Sequence, residues 1–161
     1  SSTTNIARSP CDLVDLVSDV IQDSLPRAMD KHIDLGYEGA ELGSTGVRVM
    51  GNPTLLKEMV RNLVDNALRY SPEGATVHIQ AQCMAGSRVE VTVQDSGPGL
   101  ASADMARLGE RFFRALGNSS TGSGLGWSIV QRIARAHHAT VQVTRSASLG
   151  GLAVEVNWAT R

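Results

Sequence analysis

Val91-Thr92-Val93-Gln94-Asp95-Ser96-Gly97-Pro98-Gly99-Leu100 is the stretch that decides how the chain folds. Valines alternate with polar residues up to a single acid, and two glycines flanking a proline follow at once. Period-two alternation marks a strand with one face in a core, and it puts Asp95 at the end of that strand. Gly97 and Gly99 allow backbone conformations and close approaches that a Cβ forbids. The acid therefore stands at the lip of a sheet, beside bare backbone on which a flat ligand fits. A carboxylate is acceptor-only, so it suits an exocyclic amine such as that of adenine. Taken alone, the same residues read equally well as a strand-ending Asp that caps a turn.

The helix-forming stretch before this strand weighs between the two readings. Asn52-Pro53 is an N-cap followed by Pro at the first helical position, and Ser71-Pro72 stops the helix after about Tyr70. With residues placed at 100° steps, Leu55, Leu56, Met59, Val60, Leu63, Val64 and Ala67 cover one broad side, with Leu68 just beyond its edge. Lys57, Arg61 and Asp65 fall opposite, on a side expected to be solvated. Glu58, Asn62, Asn66 and Arg69 share a third arc only ~80° wide and ~16 Å long. Such a stripe has the reach of a metal–triphosphate, and Asn oxygens with water suit Mg²⁺, which keeps much of its hydration. A polar boundary stripe on an amphipathic helix accounts for one Asn, but less readily for the whole set.

Outward from these two segments, Val77–Gln82 and Arg88–Gln94 alternate across Ala85-Gly86-Ser87 and predict a hairpin. Residues 3–8 predict an edge strand, and Ser9-Pro10 predicts the start of a helix with Leu13, Leu16, Val17, Val20, Ile21 and Leu25 on its buried face. Pro26 kinks that helix or breaks its last turn. Short strands follow near Ile33–Tyr37 and Val47–Met50. Residues 101–123 lose clear periodicity except for Met105, Leu108, Phe112 and Phe113, which predicts a functional lid or disorder. Gly122-Ser123-Gly124-Leu125-Gly126 then leads into a third helix, a place where free amides and the helix dipole favour phosphate. The string lacks the Lys and Ser/Thr of a Walker A loop. Alternating runs Thr140–Arg145 and Leu152–Trp158, joined across Gly150-Gly151, complete a sheet.

Composition narrows the classes. At 161 residues the chain is one domain by length, large enough to bury a sizeable core, and its 42% hydrophobic and 19% charged residues are ordinary for a globular protein. A net charge of −1 leaves no electrostatic footprint for nucleic acid. No apolar run approaches the ~18 residues of a membrane span. Cys11 and Cys83 lack metal-ligand spacing and fit a reducing compartment. His32, His78, His137 and His138 form no ligand cluster, and the last two read as a helix end.

Taken in order, these motifs resemble the catalytic ATP-binding domain of two-component sensor histidine kinases. That domain belongs to the Bergerat or GHKL superfamily, with DNA gyrase, a heat-shock chaperone and MutL. Glu58 through Asn62, Asn66, Ala67, Arg69 and Tyr70 to Ser71 is similar to the asparagine box, and Asp95–Leu100 to the first glycine box. Glu110-Arg111-Phe112-Phe113-Arg114 is similar to the phenylalanine box and Gly122–Gly126 to the second glycine box. The resemblance implies an α/β two-layer sandwich, a mixed, roughly five-stranded sheet against three helices, with a lid at about 100–123.

It also implies roles for particular residues. Asp95 would bind the adenine amine beside Gly97 and Gly99. Asn62 and Asn66 would hold Mg²⁺, Arg69 would meet phosphate, and Tyr70 would lie against the nucleotide. Gly122, Gly124, Leu125 and Gly126 would face the phosphates, and Glu58 would assist proton removal. The implied activity is γ-phosphoryl donation from ATP to a histidine on a separate helical dimerisation domain, with a response regulator downstream. The alternative is ATP hydrolysis that drives a conformational change.

No histidine here is followed by the Glu or Asp of an acceptor motif. The chain is therefore expected to be a catalytic module, without the dimerisation domain, that does not phosphorylate itself. Its implied setting is the cytoplasmic side of a bacterial inner-membrane sensor, without direct membrane contact. Two departures from the family pattern stand out: Trp127 after the second glycine box, where it either reshapes the phosphate-side wall or fills core, and His138-Ala139 where glycines are common. The latter predicts a strained backbone after the third helix.

Overall fold

The computed structural model describes residues 6–39, 47–85, 88–97 and 125–159. In chain order these form β1 (Ser9–Asp12), α1 (Leu13–Asp30), β2 (Asp34–Gly39), β3 (Arg48–Gly51), α2 (Pro53–Tyr70), β4 (Thr76–Met84), β5 (Arg88–Asp95), α3 (Leu125–Ala136), β6 (Thr140–Arg145) and β7 (Leu152–Ala159). The main sheet has five strands in the order β2-β4-β5-β7-β6. Only β2 with β4 is parallel; the other pairs are antiparallel, so the sheet is mixed. The three helices pack with this sheet as the α/β sandwich expected from the sequence.

Alternation fixes which side of the sheet is covered. Val77, Ile79 and Ala81 of β4 register with Asp95, Val93 and Val91 of β5. Val93, Val91 and Val89 in turn face Val154, Val156 and Trp158 of β7. From α2, Leu56, Met59, Val60, Leu63, Val64, Ala67 and Leu68 join this core, and Trp127, Val130, Ile133 and Ala134 join from α3. Each large apolar side chain buried here contributes ~1.5–3 kcal/mol before entropy is counted. Because side chains alternate along a strand, the row Val89, Val91, Val93 delivers Asp95 to the same, helix-facing side.

The start of the chain departs from expectation. Ser9-Pro10 does not open a helix: Ser9–Asp12 is a strand, paired antiparallel with β3 so that Ser9 faces Gly51 and Asp12 faces Arg48. Of the edge strand expected at 3–8, residues 6–8 carry none and residues 3–5 lie outside the described residues; the helix starts at Leu13. Asp12 is the cap, its Oδ1 accepting from the Val14 and Asp15 amides at 2.9 and 3.1 Å. Long-range pairing outweighed a local signal, and Pro10 tolerates an edge strand because only one side is bonded. The helix runs through Pro26 to Asp30, and Leu25, expected inside, is 39% exposed.

Local chemistry sets the ends of α2 as the sequence predicted. Asn52 Oδ1 accepts from the Leu55 amide at 3.0 Å, with Pro53 at the first helical position. Ser71 is extended (φ −87, ψ 140), as a residue before proline must be. The side of α2 expected to be merely solvated also faces α1. Asp23 pairs with Lys57 at 3.8 Å and Arg61 at 3.5 Å, and Arg27 pairs with Asp65. Such partly exposed pairs contribute little to stability but fix the register of the two helices.

The first and third helices end the same way. His32 donates its amide to Met29 O and Ile33 to Ala28 O; His138 donates to Arg135 O and Ala139 to Ala134 O. Both are Schellman closures, and both put a histidine where glycine is usual, at φ 55 and 57. The strain predicted at His138-Ala139 is thus present. His138→Gly removes it at an exposed position. It is expected to stabilise the fold by about 0.5–1 kcal/mol, seen as a higher urea midpoint with an unchanged slope.

Candidate nucleotide site

Asp95 is 8% exposed, at the end of the valine row on the helix-facing side of β5. Its Oδ1 accepts from the Gly97 amide at 3.0 Å and from the Leu152 amide at 3.2 Å. Among the described residues no hydrogen bond falls on Oδ2. The Gly151 amide donates to the Asp95 carbonyl at 3.0 Å, tying the β6–β7 turn to the end of β5. A Cβ on Gly151 would lie 2.1 Å from Asp95 Oδ1, 2.5 Å from Asp95 O and 2.8 Å from the Gly97 amide nitrogen. Gly97 is less tight, with Asp95 Oδ1 3.3 Å from its would-be Cβ. The carboxylate is thus clasped by backbone, with one oxygen committed to the fold.

Burial pushes the Asp95 carboxyl above its usual range, although the Leu152 and Gly97 amides oppose this. The group sits at one end of a recess between the sheet and two helices. Leu63, Asn66, Ala67 and Tyr70 of α2, Val93 of β5, Leu152 and Val154 of β7, and Trp127 of α3 line the rest. The wall is thus mostly apolar, with an acid acceptor, a carboxamide and a phenol as its polar groups. Such a recess suits a flat heterocycle carrying an amine.

The structure brings some predicted residues together and leaves others apart. Asn66, Tyr70 and Asp95 share the recess, with Gly97 at its edge. Asn62 lies one turn up α2, its Nδ2 donating to Glu58 O at 2.8 Å. That bond turns the amide so that Oδ1, the atom a cation needs, is the free one. Arg69 and Glu58 are exposed and do not line the recess; Glu58 borders a separate shallow concavity with Pro53, Thr54, Lys57 and Arg61. Leu125 and Gly126 open α3 immediately before Trp127. Gly99, Gly122, Gly124, the phenylalanine box and the expected lid lie outside the described residues.

Trp127 is 3% exposed and part of the core, and it also lines the recess that holds Asp95; the phosphate-side wall expected for it falls among residues outside those described. Sequence reading missed Gly151 and Leu152, taken only as a join and a strand start. The available signal was the doubled glycine. Gly150 meets the turn's need with φ 89, leaving Gly151 to be explained by close approach.

His137 braces the site from behind. It is 4% exposed, its Nδ1 donates to Ile133 O at 2.8 Å, and its Nε2 accepts from the Asn52 amide at 3.0 Å. This bond joins the end of α3 to the N-cap of α2. Burial holds its pKa below the usual imidazole value, the Ile133 bond opposing, so the neutral ring required by an accepting Nε2 is favoured.

Residues 51–160 match the family described as histidine kinase-, DNA gyrase B-, and HSP90-like ATPase. The Escherichia coli K12 sensor protein QseC is 40% identical over 146 residues, covering 91% of this chain and 30% of QseC. A solved mycobacterial sensor histidine kinase, MprB, superposes with a TM-score of 0.78 at 26% identity, covering 96% of this chain and 98% of that one. Histidine kinase ThkA in complex with response regulator TrrA superposes with a TM-score of 0.76 at 21% identity, covering 96% of this chain and 42% of that one.

The fold is that of the catalytic domains of sensor histidine kinases. The chain belongs to the histidine kinase-, DNA gyrase B- and HSP90-like ATPase family, and it spans about 30% of the length of the curated relatives it matches.

Two outcomes test the site. Gly151→Ala meets backbone that cannot give way, so it is expected to cost about 1–3 kcal/mol or more in urea denaturation and to weaken adenosine binding. The pH dependence follows from Asp95. Its folded pKa is raised, so the native state binds the extra proton, and the ionised form costs stability above that pKa. Only the ionised form offers a charged acceptor to an amine. Calorimetry with adenosine, which lacks titrating phosphates, should show affinity falling on acidification at a higher pH than an ordinary Asp gives. Asp95→Asn should bind weakly with a flat profile.

Proposed function

We propose that this chain binds Mg²⁺·ATP and donates the γ-phosphoryl group to a histidine on a separate helical dimerisation domain, within two-component signalling. The observation that carries the reading is the buried Asp95 carboxylate, one oxygen clasped by backbone amides, at the head of an apolar recess shared with Asn66 and Tyr70. Identity to QseC and the family match support it. In this reading Asp95 accepts from the adenine amine, and Tyr70 and Trp127 confine the base. Gly97 and Gly99 let the backbone approach it.

Asn66 and Asn62 would hold Mg²⁺ through their amide oxygens. A donor set of neutral oxygens completed by water and phosphate fits that ion. When bound, the metal neutralises phosphate charge. Arg69, exposed at the end of α2, would add a guanidinium on the phosphate side. Gly122, Gly124, Leu125 and Gly126 would offer amides there, at the start of α3. Glu58 stands farthest from the recess and would assist proton removal from the incoming nucleophile.

The module itself does little covalent chemistry; it positions the nucleotide and its charge for in-line attack. The acceptor is another domain's histidine, and a response regulator receives the phosphoryl group, as the solved ThkA complex with TrrA suggests. The chain would lie on the cytoplasmic side of a bacterial inner-membrane sensor. Among the described residues no helix is long and apolar enough to cross a membrane.

With γ-labelled ATP, the chain alone should gain no acid-labile phosphate, since it lacks an acceptor-type histidine. Mixed at high concentration with the helical domain of its parent kinase, it should label that domain's histidine slowly, because tethering is absent. Labelling of His32, His78, His137 or His138 would refute the reading. Asn66→Ala should weaken ATP binding at least about fivefold more in Mg²⁺ than in chelator. An equal loss in both would make Asn66 structural.

A further inference from the structure

The sheet face turned away from the helices carries a second constellation. Glu90 on β5 stands directly opposite Asn157 on β7, and Thr92 opposite Glu155. Alternation with Val89, Val91, Val93 and Val156 puts all four on the side turned away from the helices. Directly opposed residues on antiparallel strands lie ~4.5–5.5 Å apart and diagonal ones ~7–8 Å, so the two carboxylates fall within reach of one ion.

Among the described residues no cation pairs with either carboxylate, and Arg88, on the same strand and face as Glu90, is no exception. Their lateral neighbours are neutral: Gln80 and Gln82 on β4, Gln142 and Thr140 on β6.

A second observation points to a ligand. Asn157 is 6% exposed, yet its Oδ1 has no hydrogen-bond partner. Buried amide oxygens are ordinarily satisfied. Thr92, 4% exposed, donates its hydroxyl to Glu90 Oε1 at 3.2 Å and fixes that carboxylate in place.

We propose that Glu90, Glu155 and Asn157 form a site for a hard divalent cation, Mg²⁺ or Ca²⁺, on the face of the sheet turned away from the helices. The donors are all oxygens, with no imidazole or thiolate, which selects hard ions over zinc or copper. Three protein ligands on a flat face leave the rest of the shell to water. An ion here joins the two repelling carboxylates and satisfies the Asn157 oxygen. The face is opposite the one that carries Asp95, so the site is distinct from any metal held with nucleotide.

Nucleotide-free protein isolates this site. Titration with Mn²⁺, read by electron paramagnetic resonance, and with Ca²⁺, read by calorimetry, should each give one ion per chain with Kd on the order of 1 mM or tighter. Amide signals of residues 90, 92, 155 and 157 should broaden first with Mn²⁺. Glu90→Gln and Glu155→Gln should each weaken binding about tenfold or more, and Asn157→Ala several-fold. Each Gln variant removes one of two repelling charges, so its urea midpoint without metal should equal or exceed that of the wild type, which separates lost binding from lost folding. Absence of saturable metal binding would overturn the proposal, as would binding that survives the double Gln variant. Binding of an oligo-arginine peptide without metal binding would also overturn it, since the carboxylates would then serve a protein partner.

Discussion

A carboxylate taken out of water and held by two backbone amides on one of its oxygens is the constraint on which this molecule depends. The Gly97 and Leu152 amides fix Asp95 Oδ1 from two different strand ends. They do not fully offset the cost of burial, which is why the carboxyl titrates above its usual range. A group kept in a destabilising place is a common mark of function, because the cost is recovered when a ligand supplies the missing partner. In the proposed function that partner is an amine donor to Oδ2.

Much of the surrounding architecture serves to hold that acid. The strand alternation that buries Val89, Val91 and Val93 is what turns Asp95 inward, so core formation and site formation are one event. Gly151 lets the β6–β7 turn close onto the acid, and its amide locks the Asp95 carbonyl. Behind the recess, neutral His137 ties the start of α2 to the end of α3. Those helices contribute Asn66, Tyr70 and Trp127 to the recess, so a break in that tie would move its walls relative to one another.

What the sequence revealed was what local chemistry controls. The Asn52-Pro53 start and Ser71-Pro72 stop bound α2, alternation located β4, β5, β6 and β7, and the absence of glycine at His138-Ala139 gave the left-handed residue. What it concealed depends on contacts between distant segments. The pairing of β1 with β3 converted the expected helix start at Ser9-Pro10 into a strand and handed the cap to Asp12. Leu25 fits the apolar period of α1 yet is 39% exposed, while Ser24 and Ala28 of the same turn are the buried ones. Within the site, Asp95, Asn66 and Tyr70 were legible from motif and helical phase. Gly151 was not, because its need for a bare α-carbon arises only where the turn meets the acid.

The central claim is that Asp95 reads the exocyclic amine of adenine. Calorimetric comparison of ADP with inosine diphosphate, in which a carbonyl replaces that amine, isolates this contact while leaving the phosphates unchanged. The account predicts that the wild type prefers ADP by on the order of 100-fold, and that Asp95→Asn binds ADP much more weakly and loses most of the preference. Equal affinity of the wild-type protein for the two nucleotides would contradict it.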